Sequence, residues 1–163
     1  MKNILKWSGY ALISLLVFVL IRTVTFGEDV SDVKSVPLLD IDETAFAERF
    51  AGGLRIPTVA YTDRSKMNPK AFETFHSYLE KNYPKAHRFL SREIIGDLSL
   101  LYIWEGTNPS LNPVLLMAHM DVVPVTDASV DDWTYGPFKG DVADGYIWGR
   151  GAMDDKASLF SIM

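Results

Sequence analysis

Residues 7–21 form an uncharged, mostly apolar run behind Lys2 and Lys6. A membrane span needs roughly 20 residues, a length reached if Arg22 snorkels and residues 23–26 contribute. The pattern predicts a signal-anchor or transmembrane segment over residues 1–27. The alternative is a cleaved signal peptide, although Thr25-Phe26-Gly27 is a poor match to the small residues such a site wants. In both cases the two lysines stay inside and the remainder is exported. Residues 28–40 are acidic and aperiodic, which reads as a linker. From residue 41 the pattern becomes that of a packed domain. Asp42 can cap a helix in which Phe46, Phe50 and Leu54 recur every four residues; Gly52-Gly53 weakens it and Pro57 ends it. Asn68-Pro69 opens a second helix with the stripe Phe72, Phe75, Leu79 and Tyr83, closed by Pro84.

Strand signals follow. "FLSREIIGDLSLLYIWEG" places two apolar runs around Gly96-Asp97, a hairpin pattern. Residues 114–118 are continuously apolar, as expected of a strand buried on both faces. Tyr146, Ile147 and Trp148 form a short strand before "GRGAMDDKASLFSIM", whose apolar run opens a helix expected to pack on a sheet. Helices, then strands, then a helix define an α/β layered domain.

Composition narrows the chemistry. The net charge is −5, no basic patch stands out, and nucleic-acid binding has no electrostatic support. Cysteine is absent, so disulfides, thiolate metal sites and a cysteine nucleophile are excluded. Any metal must be held by oxygen and imidazole, and the histidines are His76, His87 and His119. His76 lies on an apolar helical stripe and reads as packed. His87 reads as a surface residue in a connection. Asp127, Asp131 and Asp132 read as a solvated acidic face, without the calcium-loop spacing. Trp133 and Phe138 read as packing anchors. Ser77, Ser99 and Ser158 lack a nucleophile-elbow context.

Two segments carry chemistry. His119 and Asp121 follow the apolar run and, two apart in extended chain, face one side. One imidazole nitrogen can bind a metal while a carboxylate fixes the other N–H. Asp154-Asp155 follows Gly149 and Gly151; the ordinary reading of Asp154 is a helix N-cap, and of Arg150 and Lys156, partners for the aspartates. The glycine spacing matches neither phosphate-binding fingerprint.

Taken together, "LLMAHMDVVPV" and "DDWTYGPFKGDVADGYIWGRGAMDDK" resemble the di-zinc aminoacylase and carboxypeptidase metallopeptidase family, in its carboxypeptidase S-like branch. "RIPTVAYTD" and "MNPKAFETFHSYLEKNYP" resemble its upstream region. The resemblance covers about residues 40–163 and makes residues 41–163 the N-terminal part of a zinc-peptidase catalytic domain, a mixed sheet flanked by helices. It implies that His119 ligates one zinc, that Asp154 bridges two, and that Asp121 is the catalytic-site carboxylate orienting His119. Asp155 would follow across a cis peptide bond, and Arg150 and Lys156 would be structural. A carboxylate can span two cations about 3.5–4 Å apart, and two zinc ions would polarise a scissile carbonyl. The implied activity is hydrolysis of a peptide or N-acyl amino-acid amide bond beside a free carboxylate, in a membrane-anchored or exported protein. The family's paired glutamates, which include its general base, its later zinc ligands and its lid domain, through which a homodimer could form, are absent from this chain. The fragment itself is therefore expected to be inactive. The rival is a non-catalytic, membrane-tethered binding module on the same fold.

Overall fold

A computed structural model describes residues 2–27 and 36–163. The chain divides into two compact units, residues 1–40 and residues 41–163, described separately below. The expected linker falls largely outside the described residues; residues 36–40 are exposed and without regular structure.

The first unit is the helix α1 (Lys2–Val24). Within it Lys6–Val24 is long and apolar enough to cross a membrane, and none of that stretch is buried by the rest of the chain. Trp7 and Tyr10 meet edge to face near its start, and Arg22 lies in its last turn.

The second unit is built on two helices whose boundaries are local chemistry. Helix α2 (Glu43–Leu54) begins where the Asp42 side chain accepts a hydrogen bond from the Ala45 N–H at 2.9 Å. Helix α3 (Pro69–Asn82) begins at Asn68, which caps the Lys70 N–H, with Pro69 in the first turn. Pro84 does end α3, but it also starts a further short helix, α4 (Pro84–Phe89), where a connection was expected. Helix α5 (Ala157–Ile162) carries the final apolar run.

Phe50 and Leu54 from α2, Phe75 and Leu79 from α3, and Leu159 and Phe160 from α5 form the core. The Phe160 ring is its centre, with ring centroids at 5.4 Å from Phe50, 6.1 Å from Phe75 and 6.0 Å from Tyr83. The last helix thus packs on helices, and the strand residues Leu100 and Ile147 pack against the same core. The reason for the helix packing lies in Gly52 and Gly53. A Cβ on Gly52 would overlap the Tyr78 hydroxyl, and one on Gly53 would overlap the Phe160 ring. These glycines weaken α2 intrinsically but let α3 and α5 approach its backbone.

The strands flank this core. Strands β1 (Ser91–Ile95) and β2 (Ser99–Ile103) form the expected antiparallel hairpin, turning through Gly96 and Asp97 at positive φ. Strands β3 (Asp141–Ala143) and β4 (Tyr146–Trp148) form a second antiparallel pair. One parallel bridge joins Val59 to Val122. Helices and strands thus share one unit, as an α/β domain requires. The expected buried strand at residues 114–118 does not form: Val114 is 85% exposed and Met117 76%. A strand buried on both faces needs a partner for its backbone groups. Among the described residues β1 and β2 pair only with each other, and the single parallel bridge falls further along, at Val122.

Candidate metal centre

Two segments bring the candidate residues together. The first is extended chain at residues 119–122, tied to the segment after α2. The Val122 N–H donates to the Thr58 carbonyl at 2.9 Å and the Ala60 N–H to the Val122 carbonyl at 2.9 Å. Buried Thr58 adds a third tie, its Oγ1 donating to the Met120 carbonyl at 2.5 Å. The second is the turn Ala152–Lys156, entered through Gly151 at φ +81°, where Val122 leaves no room for a Cβ. Asp154 and Asp155 have non-helical backbone angles and are joined by a cis peptide bond. Helix α5 starts only at Ala157, with Lys156 at its N-cap position and no side-chain capping bond, so Asp154 is not the helix cap its sequence context permits.

Across 35 residues, His119 Nε2 meets Asp154 Oδ1 at 2.9 Å. On the other side of the ring Nδ1 lies 3.0 Å from the Asp121 carbonyl and 3.3 Å from its Oδ1. The His119 backbone N–H donates to Asp155 Oδ2 at 3.3 Å. Both ring nitrogens thus face acceptors, an arrangement only the doubly protonated imidazolium satisfies. Partial burial lowers the His119 pKa, but the Asp154 hydrogen bond, the Asp121 carbonyl and both carboxylate charges outweigh it, and the net shift is upward. The Nε2 proton occupies the place between imidazole and carboxylate that a cation would take. Removing it would leave the Nδ1–H on Asp121, the usual second partner of a metal-bound histidine.

The donor set, imidazole nitrogen and carboxylate oxygen, suits zinc. Asp154 is 91% exposed, so its second oxygen is open to another ion. Zinc takes about four ligands, and the described residues contain no group of three or more His, Asp or Glu placed to hold a metal. His119 and Asp154 thus fit one edge of such a centre.

Lys156 and Arg150 do not pair with the aspartates. The Lys156 side chain is fully buried; Nζ donates to the Gly53 carbonyl at 3.0 Å and the Ile56 carbonyl at 2.9 Å, and sits 4.6 Å from the Phe75 ring centroid. Burial pushes its pKa down to about 7. The Arg150 guanidinium lies 5.0 Å over the Trp133 ring, so Trp133 acts as packing surface.

Residues 115–163 match the family described as Peptidase family M20/M25/M40. Over 93% of its length the chain is also 36% identical to the "Probable carboxypeptidase S-like 2" of Dictyostelium discoideum. The chain belongs to this metallopeptidase family, in its carboxypeptidase S-like branch. Other M20 relatives include "Carboxypeptidase S" of Saccharomyces cerevisiae, 42% identical over 70% of the chain. An "N-fatty-acyl-amino acid synthase/hydrolase" of Homo sapiens is 37% identical over 75%. The chain spans 30%, 21% and 24% of these three relatives, respectively.

The remaining histidines are structural. His76 is buried, with Nε2 2.9 Å from the Leu98 carbonyl. His87 is not the surface residue expected: Nδ1 reaches the Tyr83 carbonyl and Nε2 the Tyr102 hydroxyl, each at 2.9 Å. Asp127, Asp131 and Asp132 are exposed on a short turn, as a solvated acidic face should be. Sequence reasoning missed Thr58. A lone hydroxyl after Pro57 has no local signature, and only its place in a resembling segment could have drawn notice.

Proposed function

We propose that this M20 chain supplies part of a di-zinc centre in a hydrolase that cleaves a peptide or N-acyl amino-acid amide bond beside a free carboxylate. The 2.9 Å approach of His119 Nε2 to Asp154 Oδ1 carries this reading. His119 would hold one ion through Nε2, and Asp154 would offer one oxygen to each of two. Asp121 keeps the Nδ1 proton and so fixes ring orientation and tautomer. Asp155 anchors the backbone beneath His119, Lys156 fastens the turn to the end of α2, and Arg150 braces it on Trp133. Zinc bound there supplies Lewis-acid polarisation of the scissile carbonyl. The substrate class is supported by the names of the relatives, which include carboxypeptidases and an acyl-amino-acid hydrolase. The N-terminal 27 residues serve as a membrane anchor or export signal, residues 28–40 as a linker, and the peptidase unit lies outside the cytoplasm.

The product of the complete open reading frame should hydrolyse N-acyl amino acids or dipeptides, and lose that activity with chelator. Zinc titration of the present chain should show binding that His119→Ala and Asp154→Asn abolish and that Asp121→Asn weakens about 10- to 100-fold. Activity indifferent to chelator and to Asp154→Asn would sink the proposal. Zinc binding without hydrolysis by the complete product would favour the non-catalytic module.

A further inference from the structure

Both arms of the metal pair are fastened to one short stretch of chain, residues 53–60. The Asp154 arm is held from below by Lys156, whose Nζ bonds the Gly53 and Ile56 carbonyls. The His119 arm is held by Thr58, whose hydroxyl donates to the Met120 carbonyl, and by the two backbone bonds at Val122. Met120 stands between His119 and Asp121. In extended chain, fixing the carbonyl of the middle residue fixes the direction of the side chains on either side. The backbone bonds act at Val122, beyond Asp121, so among the ties to residues 53–60 the Thr58 hydroxyl is the one nearest the imidazole. Thr58 is wholly buried, and its hydroxyl has no water to turn to.

We propose that Thr58 is a positioning residue for the metal pair: its hydroxyl sets the direction from which the His119 imidazole meets the Asp154 carboxylate. The role presupposes the zinc assignment made above, but the tie itself exists without metal and can be read without it. The chain has three histidines, and their imidazole signals serve as separate reporters. His76 bonds the Leu98 carbonyl and His87 bonds Tyr83 and Tyr102, partners that Thr58 does not share, so both report whether the fold is intact.

The experiment uses the full chain in detergent, comparing wild type, Thr58→Val and Thr58→Ser by imidazole 15N NMR without metal and by zinc titration. Thr58→Val keeps shape and removes the hydroxyl; Thr58→Ser keeps the hydroxyl. In Thr58→Val the His119 signals should move while those of His76 and His87 stay, and zinc affinity should fall about 10-fold or more. Thr58→Ser should restore both to near wild type. If all three histidines move together in Thr58→Val, the decision passes to Thr58→Ser, where a displaced His119 signal overturns the proposal. Unchanged His119 signals and unchanged zinc affinity in Thr58→Val also overturn it. Selective movement of His119 in a chain that binds no zinc would retain the positioning role and reject the zinc assignment.

Discussion

The Lys156 side chain is fully buried. Its folded pKa of about 7 lies well below the ordinary 10.5. Above pH 7 the unfolded chain therefore binds the extra proton, and stability rises with pH until the unfolded lysine also titrates. Urea midpoints of the wild-type chain should climb between pH 7 and 9, and Lys156→Met should flatten that climb. His119 has the opposite sign. Its raised pKa means that its pairing stabilises the metal-free chain fully below about pH 6.5, and that the benefit is lost as pH rises through the folded value. Asp154→Asn removes the charged acceptor, so the His119 pKa should drop back in an NMR titration.

At the scale of elements, the helices were legible because their determinants are local. Asp42 and Pro69 mark starts, and stripes of four-residue spacing mark buried faces. Asp42→Ala should cost about 1 kcal/mol in chemical denaturation. Gly53→Ala should cost about 1–3 kcal/mol, although alanine is the better helix former, because the added methyl must displace the Phe160 ring. That sign reversal shows where local reading ends: Gly52 and Gly53 look like helix weakeners until their neighbours are known. The same limit explains residues 114–118, whose apolar composition says strand but whose pairing depends on distant chain. It also explains α4, six residues long and too short to show a period. The metal pair lay between these extremes. Each half was visible as a motif, but His119 and Asp154 are 35 residues apart, and only family resemblance joined them before the geometry did. The carbonyls that hold Lys156, on Gly53 and Ile56, carry no side-chain signal at all.

For the whole molecule, α1 and the unit at residues 41–163 make separate predictions. If residues 1–27 anchor the protein, the intact chain should stay with membranes after an alkaline carbonate wash. The same chain without residues 1–27 should appear in the supernatant. The unit at residues 41–163 is closed from its two ends: the bond from Lys156 to the Gly53 carbonyl spans 103 residues, and that from the Tyr83 hydroxyl to the Phe160 carbonyl spans 77. Contacts of such separation form late, because the ends of a long loop must first meet. During synthesis, α2 and α3 leave the ribosome with Phe50 and Phe75 still lacking the Phe160 ring that packs on them. A nascent chain routed by its first helix to a translocation channel would therefore arrive unlocked, in the pliable condition that passage through a narrow pore demands.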